Sequence, residues 1–160
     1  MTEIRPRKPC CYWRPNCNAL RTLQSPWHIT PDDGTKSFRI SSAAFRPSKQ
    51  DKSVSVDIGQ LLLEDGLAED ALYPALKQAV GLCAVSVQFI RELGLELHHD
   101  PLCTNWYHGG IRGNFNSKNP VTRKNGSKML AEHGDKHVVR QLDVDTARRH
   151  WEAANRPLDW

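Results

Sequence analysis

The segment Ser53–Ile58 constrains the fold most, because its polar and apolar side chains alternate along the chain. Successive side chains of a strand point to opposite faces, so this period of two predicts a half-buried β-strand. Val54, Val56 and Ile58 are then expected to point into the core, while the polar residues between them face outward. The fold is therefore expected to contain a sheet.

Further strands and helices are predicted along the chain. Apolar or β-rich runs predict strands at residues 83–89, 95–98 and 106–112. Helical patterns lie at residues 60–80, 127–141 and 143–154. Ser127 is a candidate N-cap, and Gly134 is an unfavourable residue inside its helix. Because the order lacks regular β-α-β alternation, an α+β fold is expected, with a small, mainly antiparallel sheet and two or three packing helices.

The chain has 160 residues, enough for one domain spanning residues 1–160. Its first 37 residues contain several prolines and three cysteines, and are expected to form an irregular arm. No run of eighteen apolar residues is present, which predicts no membrane span. The basic N-terminus lacks the apolar segment of a secretory signal, so a cytoplasmic protein with reduced cysteines is expected.

A long stretch without acidic residues is the main indication of function. Residues 101–131 contain no Asp or Glu but several Lys and Arg, within a chain of net charge +4. Such a stretch, together with the basic N-terminal arm, predicts binding of nucleic acid or another polyanion. The candidate binding residues are Trp106, Tyr107, Arg112, Lys118, Arg123, Lys124 and Lys128.

An acidic protein surface is an alternative partner for this stretch. The acidic residues 64–70 of a second copy offer such a surface, which would give a head-to-tail homo-oligomer. A place as a subunit in a larger assembly is equally compatible with the charge pattern.

Three histidines are candidate catalytic residues: His98, His99 and His108. A His pair at a strand end, a further strand and a helix carrying His133 resemble the metal-binding arrangement of HNH-type nucleases. That resemblance implies a divalent metal and one histidine that activates water. The spacing of the asparagines departs from it, and adjacent strand residues cannot both face one site. His108, next to two glycines, is a separate candidate within a ligand site.

The cysteines allow two interpretations. Cys10, Cys11, Cys17 and His28 could ligate zinc, with Cys103 or His108 as further candidates. Their spacing is unlike that of paired zinc knuckles, so ordinary reduced cysteines are favoured.

A serine-bearing loop gives a third hypothesis. Ser41, Ser42 and Phe45 are candidates for a nucleotide pocket, and their setting is similar to the serine-bearing strand of ADP-ribosyltransferase-like folds. That similarity implies an enzyme that handles NAD or a nucleotide. The terminal glutamate of those folds is missing, and a turn stabilised by serine side chains is the favoured alternative.

The order of short motifs in the central half of the chain resembles that of a group of small bacterial proteins without an established activity. The motifs are Ser-Ser-Ala-Ala-Phe at 41–45, Ser-Val-Ser-Val-Asp at 53–57, Asp-Pro at 100–101 and His-Gly at 108–109. The resemblance implies a small bacterial globular protein and transfers no catalytic residue.

Overall fold

The structure, a computed structural model, describes residues 5–24, 27–31, 38–73, 79–142 and 144–153. Its strands are β1 Asn18–Gln24, β2 Ile29–Pro31, β3 Phe38–Ile40, β4 Ser53–Ile58, β5 Ala79–Ser86, β6 Glu96–His99, β7 His108–Arg112 and β8 Val138–Arg140. Its α-helices are α1 Gly59–Glu64, α2 Val87–Glu92, α3 Gly126–Asp135 and α4 Val144–Ala153.

Six of the strands form one sheet in the order β6-β7-β4-β1-β5-β8, and every neighbouring pair is antiparallel. Strands β2 and β3 form a separate two-stranded sheet. The expected α+β class with a mainly antiparallel sheet is confirmed. Strand β4 also has the predicted orientation, because Val54, Val56 and Ile58 are buried in the main core.

The expectation of an irregular arm over residues 1–37 is wrong for Asn18–Gln24, which form strand β1. It lies between β4 and β5, near the middle of the large sheet. Both of its faces are covered, since Ala19 and Leu23 belong to the main core and Leu20 to a smaller apolar cluster on the other face. A strand buried on both faces has no simple alternation, so the pattern that revealed β4 is absent here.

Several predicted elements have different bounds in the structure. The apolar run at 83–89 changes from strand to helix after Ser86, whose side chain accepts a hydrogen bond from the Phe89 N–H at 3.1 Å and caps α2. Helix α1 covers only the start of the predicted helix 60–80, of which residues 74–78 lie outside the described residues. Helix α3 is capped by Asn125 rather than Ser127, and residues 138–140 form β8.

Gly134 has a packing role that explains its place inside α3. A Cβ atom at this position would lie 2.9 Å from the Sγ of Cys83 on β5. The missing side chain therefore allows α3 to lie close against the sheet, which outweighs the poor helix propensity of glycine.

The N-terminal segment packs along strand β6, the edge of the sheet. The Trp13 side chain is buried, and its Nε1–H donates to the Leu97 carbonyl at 2.8 Å. The backbone N–H of Lys8 donates to Nδ1 of His99 at 3.0 Å. These contacts hold the arm on an edge strand that would otherwise present unpaired backbone groups.

Candidate functional site

Two separate segments of the chain form one basic surface. The pairing of β4 with β7 places Ser53 opposite Arg112. The turn at residues 48–52 therefore lies beside the start of the loop at residues 113–125, which we call the acid-free loop. The Ser127 hydroxyl donates to the Phe45 carbonyl at 2.7 Å, which places the beginning of α3 beside residue 46. We call this surface the basic end; its residues are Arg46, Lys49, Lys52, Arg112, Lys118, Arg123, Lys124 and Lys128.

Most charges of the basic end are not neutralised by described residues. Lys124 forms an ion pair with Glu132 at 2.7 Å, and Arg112 lies 3.9 Å from a carboxylate oxygen of Asp100. The other six cations have no described carboxylate within 4.0 Å and are exposed. Three of them, at positions 46, 49 and 52, lie outside the stretch without acidic residues, and the β4–β7 pairing and the α3 contact bring them to the loop.

The asparagines of the loop organise its backbone. The Asn119 side chain accepts hydrogen bonds from the N–H groups of Val121 and Thr122, at 2.9 and 3.0 Å. Asn114 accepts from the Asn116 N–H, and Asn125 caps α3. These side-chain oxygens therefore shape the loop, and its cations are left as the groups that face solvent.

The aromatic candidates lie at the other end of β7 from Arg112. Strand β7 runs from His108 to Arg112, a distance of about 14 Å for four residues of extended chain. Trp106 lies under the Arg5 guanidinium at 5.4 Å, and the Tyr107 hydroxyl donates to Asp65 at 2.8 Å. The predicted set of aromatic and basic residues is thus divided between two places.

The aromatic part of the set borders a cleft of about 580 Å³. Its apolar wall includes Leu20, Leu72, Leu102, Trp106 and Tyr107. Its polar lining includes Thr22, Ser55, Asp57, Asn105 and His108, and we call the whole site the polar cleft. Asp57 and His108 are directly opposite each other on β4 and β7.

Two titratable residues of the polar cleft are held in defined orientations. The Asn105 side-chain N–H donates to Asp57 at 2.8 Å. Burial raises the pKa of Asp57, opposed by this hydrogen bond and by the nearby His108. Nδ1 of His108 lies 2.7 Å from the Asp100 carbonyl, which only accepts, so Nδ1 carries a proton and Nε2 is the nitrogen left to a ligand.

A half-buried arginine, Arg21, also lines the cleft. Strand β1 pairs with β4 at only two described positions, and next to them the Arg21 guanidinium donates to the carbonyls of Ser55 and Ala44 at 2.8 and 2.7 Å. On its other side, Nη2 of Arg21 lies 3.5 Å from the ring of His28. Burial and this guanidinium lower the pKa of His28 to about 4. Arg21 therefore connects β1 to the backbone of β4 and of residue 44 beside the cleft.

The histidines predicted for a nuclease lie apart. His99 is buried, and both ring nitrogens are engaged, one by the Lys8 N–H and the other by the Trp106 carbonyl at 2.8 Å. His98, the next residue on β6, lies beside Cys10 and Glu96 instead. His133 of α3 stacks on Phe89 with ring centroids 4.2 Å apart. Among the described residues, the potential metal ligands near His98 are Cys10 and Glu96, and His133 is not one of them.

The serine loop forms a short 3-10 helix, Ser42–Phe45. The Ser41 side chain accepts from the Ala43 N–H at 3.1 Å, and Phe45 is buried in the main core. Ser42 is half-buried, and none of the three residues borders the polar cleft. These contacts are those of a turn stabilised by a serine side chain, which was the favoured alternative to a nucleotide pocket.

Comparison with protein-family models, with curated proteins and with solved structures finds no match for this chain. Within the described residues, no helix has both the length and the apolar character needed to cross a membrane. The resemblance to small bacterial proteins therefore stays an expectation.

Proposed function

We propose that the basic end binds the phosphate backbone of a nucleic acid. The observation that carries the proposal is the β4–β7 pairing, which together with the contact between Ser127 and Phe45 adds Arg46, Lys49 and Lys52 to the cations of the acid-free loop. The turn also carries one exposed carboxylate, Asp51, but the eight cations still form a larger positive surface than either segment alone. Neutralising phosphates with Lys and Arg releases condensed counterions, which gives affinity that depends steeply on salt.

The arrangement favours binding without base specificity. Trp106 and Tyr107, the aromatic residues expected to stack on bases, precede His108, and the length of β7, about 14 Å, separates His108 from Arg112. The cations of the basic end reach phosphate groups, and phosphate contacts position a nucleic acid without reading its sequence. Duplexes of unrelated sequence are therefore expected to bind with similar affinity.

The triple variant K118Q/R123Q/K128Q tests this proposal. It is expected to weaken binding at least tenfold at low salt and to flatten the plot of log K against log salt by about 2.7, or about 0.9 for each lost phosphate contact. Fluorescence anisotropy of a labelled duplex, measured from low to physiological salt, gives both quantities.

The matched control is K136Q/R140Q/R149Q, which removes the same number of charges outside the basic end. Equal weakening by both triple variants would mean that net charge alone attracts the nucleic acid, and the assigned surface would be withdrawn. If wild-type protein binds polyglutamate but no nucleic acid, the basic end serves an acidic protein partner instead.

The polar cleft supports a second candidate function, acid–base catalysis on a small ligand. A carboxyl group whose pKa is raised by burial lies opposite a histidine whose Nε2 is available as an acceptor. Such pairs of titratable groups with different environments are typical of catalytic sites. Asp57 and His108 are the residues that would exchange protons with the ligand.

The variant D57N tests whether the ionised Asp57 side chain lowers the stability of the folded protein. Because its pKa is raised in the folded state, the ionised carboxylate destabilises the fold at pH 7, and this effect disappears as pH falls through the folded-state pKa. Asn keeps an oxygen that accepts from Asn105. D57N is therefore expected to be more stable than wild type in urea at pH 7, with a smaller gain at pH 4. A less stable D57N at pH 7 would make Asp57 a structural residue.

A further inference from the structure

Three metal-ligand side chains meet at the edge strand β6, where Glu96 is paired with Arg112 of the basic end. Sγ of Cys10 lies 3.4 Å from Nδ1 of His98, and a carboxylate oxygen of Glu96 lies 3.0 Å from Nε2 of the same ring. One ligand atom from each of the three residues lies within 4.8 Å of the other two. The spacing of the cysteines did not predict this set, because two of its members are about 86 residues away from Cys10 in sequence.

The backbone holds these residues together before any ion is present. Glu96 and His98 are two residues apart on one strand, so their side chains lie on the same face. Cys10 is fixed from the other side, because the Arg91 guanidinium donates to the Cys10 and Trp13 carbonyls at 3.3 and 2.9 Å. Because Cys10 and His98 are already in contact, only the Glu96 side chain has to be reoriented when a metal binds, which limits the loss of conformational entropy.

We propose that Cys10, Glu96 and His98 form a zinc site with three protein ligands and an open fourth position. A tetrahedral Zn²⁺ with ordinary bond lengths places a thiolate sulfur and an imidazole nitrogen about 3.5 Å apart, and a nitrogen and a carboxylate oxygen about 3.4 Å apart. The observed 3.4 Å between Sγ of Cys10 and Nδ1 of His98 is close to the first value. The carboxylate oxygen of Glu96 lies 3.0 Å from the other ring nitrogen, Nε2, so with Nδ1 as the zinc ligand the exposed Glu96 side chain has to rotate to reach the metal.

The chemistry of the donors selects the metal. Thiolate and imidazole are ligands for zinc and related transition metals, whereas magnesium and calcium take oxygen ligands. Two of the three ligands, Cys10 and Glu96, line a cleft of about 460 Å³ together with Arg91, which gives a water or small ligand access to the metal.

Cobalt titration of the full chain, freed of metal by dialysis against a chelator, tests the site. One equivalent of Co²⁺ is expected to produce the thiolate-to-cobalt absorption band, and one equivalent of Zn²⁺ to abolish it. Zn²⁺ is also expected to raise Tm, because it binds the folded state. Mg²⁺ at the same concentration is expected to change neither readout.

Variants assign the ligands. C10S is expected to lose the cobalt band, and H98Q to lower the affinity for Co²⁺ more than tenfold. C103S removes an exposed cysteine outside the cluster and is the matched control, with binding equal to wild type. Circular dichroism establishes that each variant is folded. A band that is absent in wild type, that survives in C10S, or that disappears in C103S would overturn the proposal.

Discussion

Replacing Trp13 by alanine is expected to lower the free energy of unfolding by about 3–5 kcal/mol, the range for truncating a large buried aromatic side chain. Only 2% of Trp13 is exposed, and its ring packs edge-on against His99 with centroids 5.9 Å apart. Its Nε1–H also donates to the Leu97 carbonyl. The variant therefore loses apolar burial, a hydrogen bond and the attachment of the arm to β6. Urea denaturation at pH 7 measures the change.

Two controls separate these contributions. Trp13→Phe keeps most of the apolar ring but leaves the Leu97 carbonyl without its donor, so a loss of about 1–3 kcal/mol is expected. Trp27→Ala truncates a tryptophan that is 61% exposed, and a change of less than about 1 kcal/mol is expected. If Trp13→Ala is no more destabilising than Trp27→Ala, the arm does not pack on β6 as described.

Acid is expected to destabilise the protein through His28 before most carboxylates titrate. The pKa of this histidine is lowered from 6.5 to about 4 by burial and by the Arg21 guanidinium. Below pH 6.5 the unfolded chain therefore binds a proton that the folded protein excludes. The resulting loss of stability is about 2 kcal/mol at pH 5 and about 3 kcal/mol at pH 4, relative to neutral pH.

The variant H28Q isolates this contribution. Its side-chain oxygen can accept from the Gln24 N–H in place of Nδ1, which accepts at 3.0 Å in wild type. Other histidines with lowered pKa, His99 and His133, are present in both proteins. The difference in urea stability between wild type and H28Q should thus change by about 3 kcal/mol from pH 7 to pH 4. Parallel pH profiles would show that His28 keeps an ordinary pKa.

Local patterns predicted some elements well because their cause is local. The alternation in Ser53–Ile58 arises from one strand with one buried face, and β4 has the predicted orientation. The pattern failed for β1, which is covered on both faces, and for residues 83–89, where Ser86 ends a strand and caps a helix. Burial on a second face and capping depend on neighbours that a single segment does not contain.

The candidate sites were predicted in part for the same reason. The acid-free loop and His108 could be recognised in the sequence, since their charge and residue types are local properties. The residues that lie beside the acid-free loop and beside His108 could not be recognised in the sequence. Asp57 faces His108 through the register of β4 with β7, and the cations of residues 46–52 join the loop through the same pairing and the contact between Phe45 and α3.

By itself, the sequence determined the α+β class, the buried face of β4 and the positive charge of residues 101–131, because residue types and their spacing are sufficient for each. Only the tertiary structure decided which side chains meet. In the fold, Cys10 lies beside Glu96 and His98. The two ring nitrogens of His99 bind the Lys8 N–H of the arm and the Trp106 carbonyl of the loop before β7. Such contacts depend on strand order and register, which are set by packing across the whole sheet.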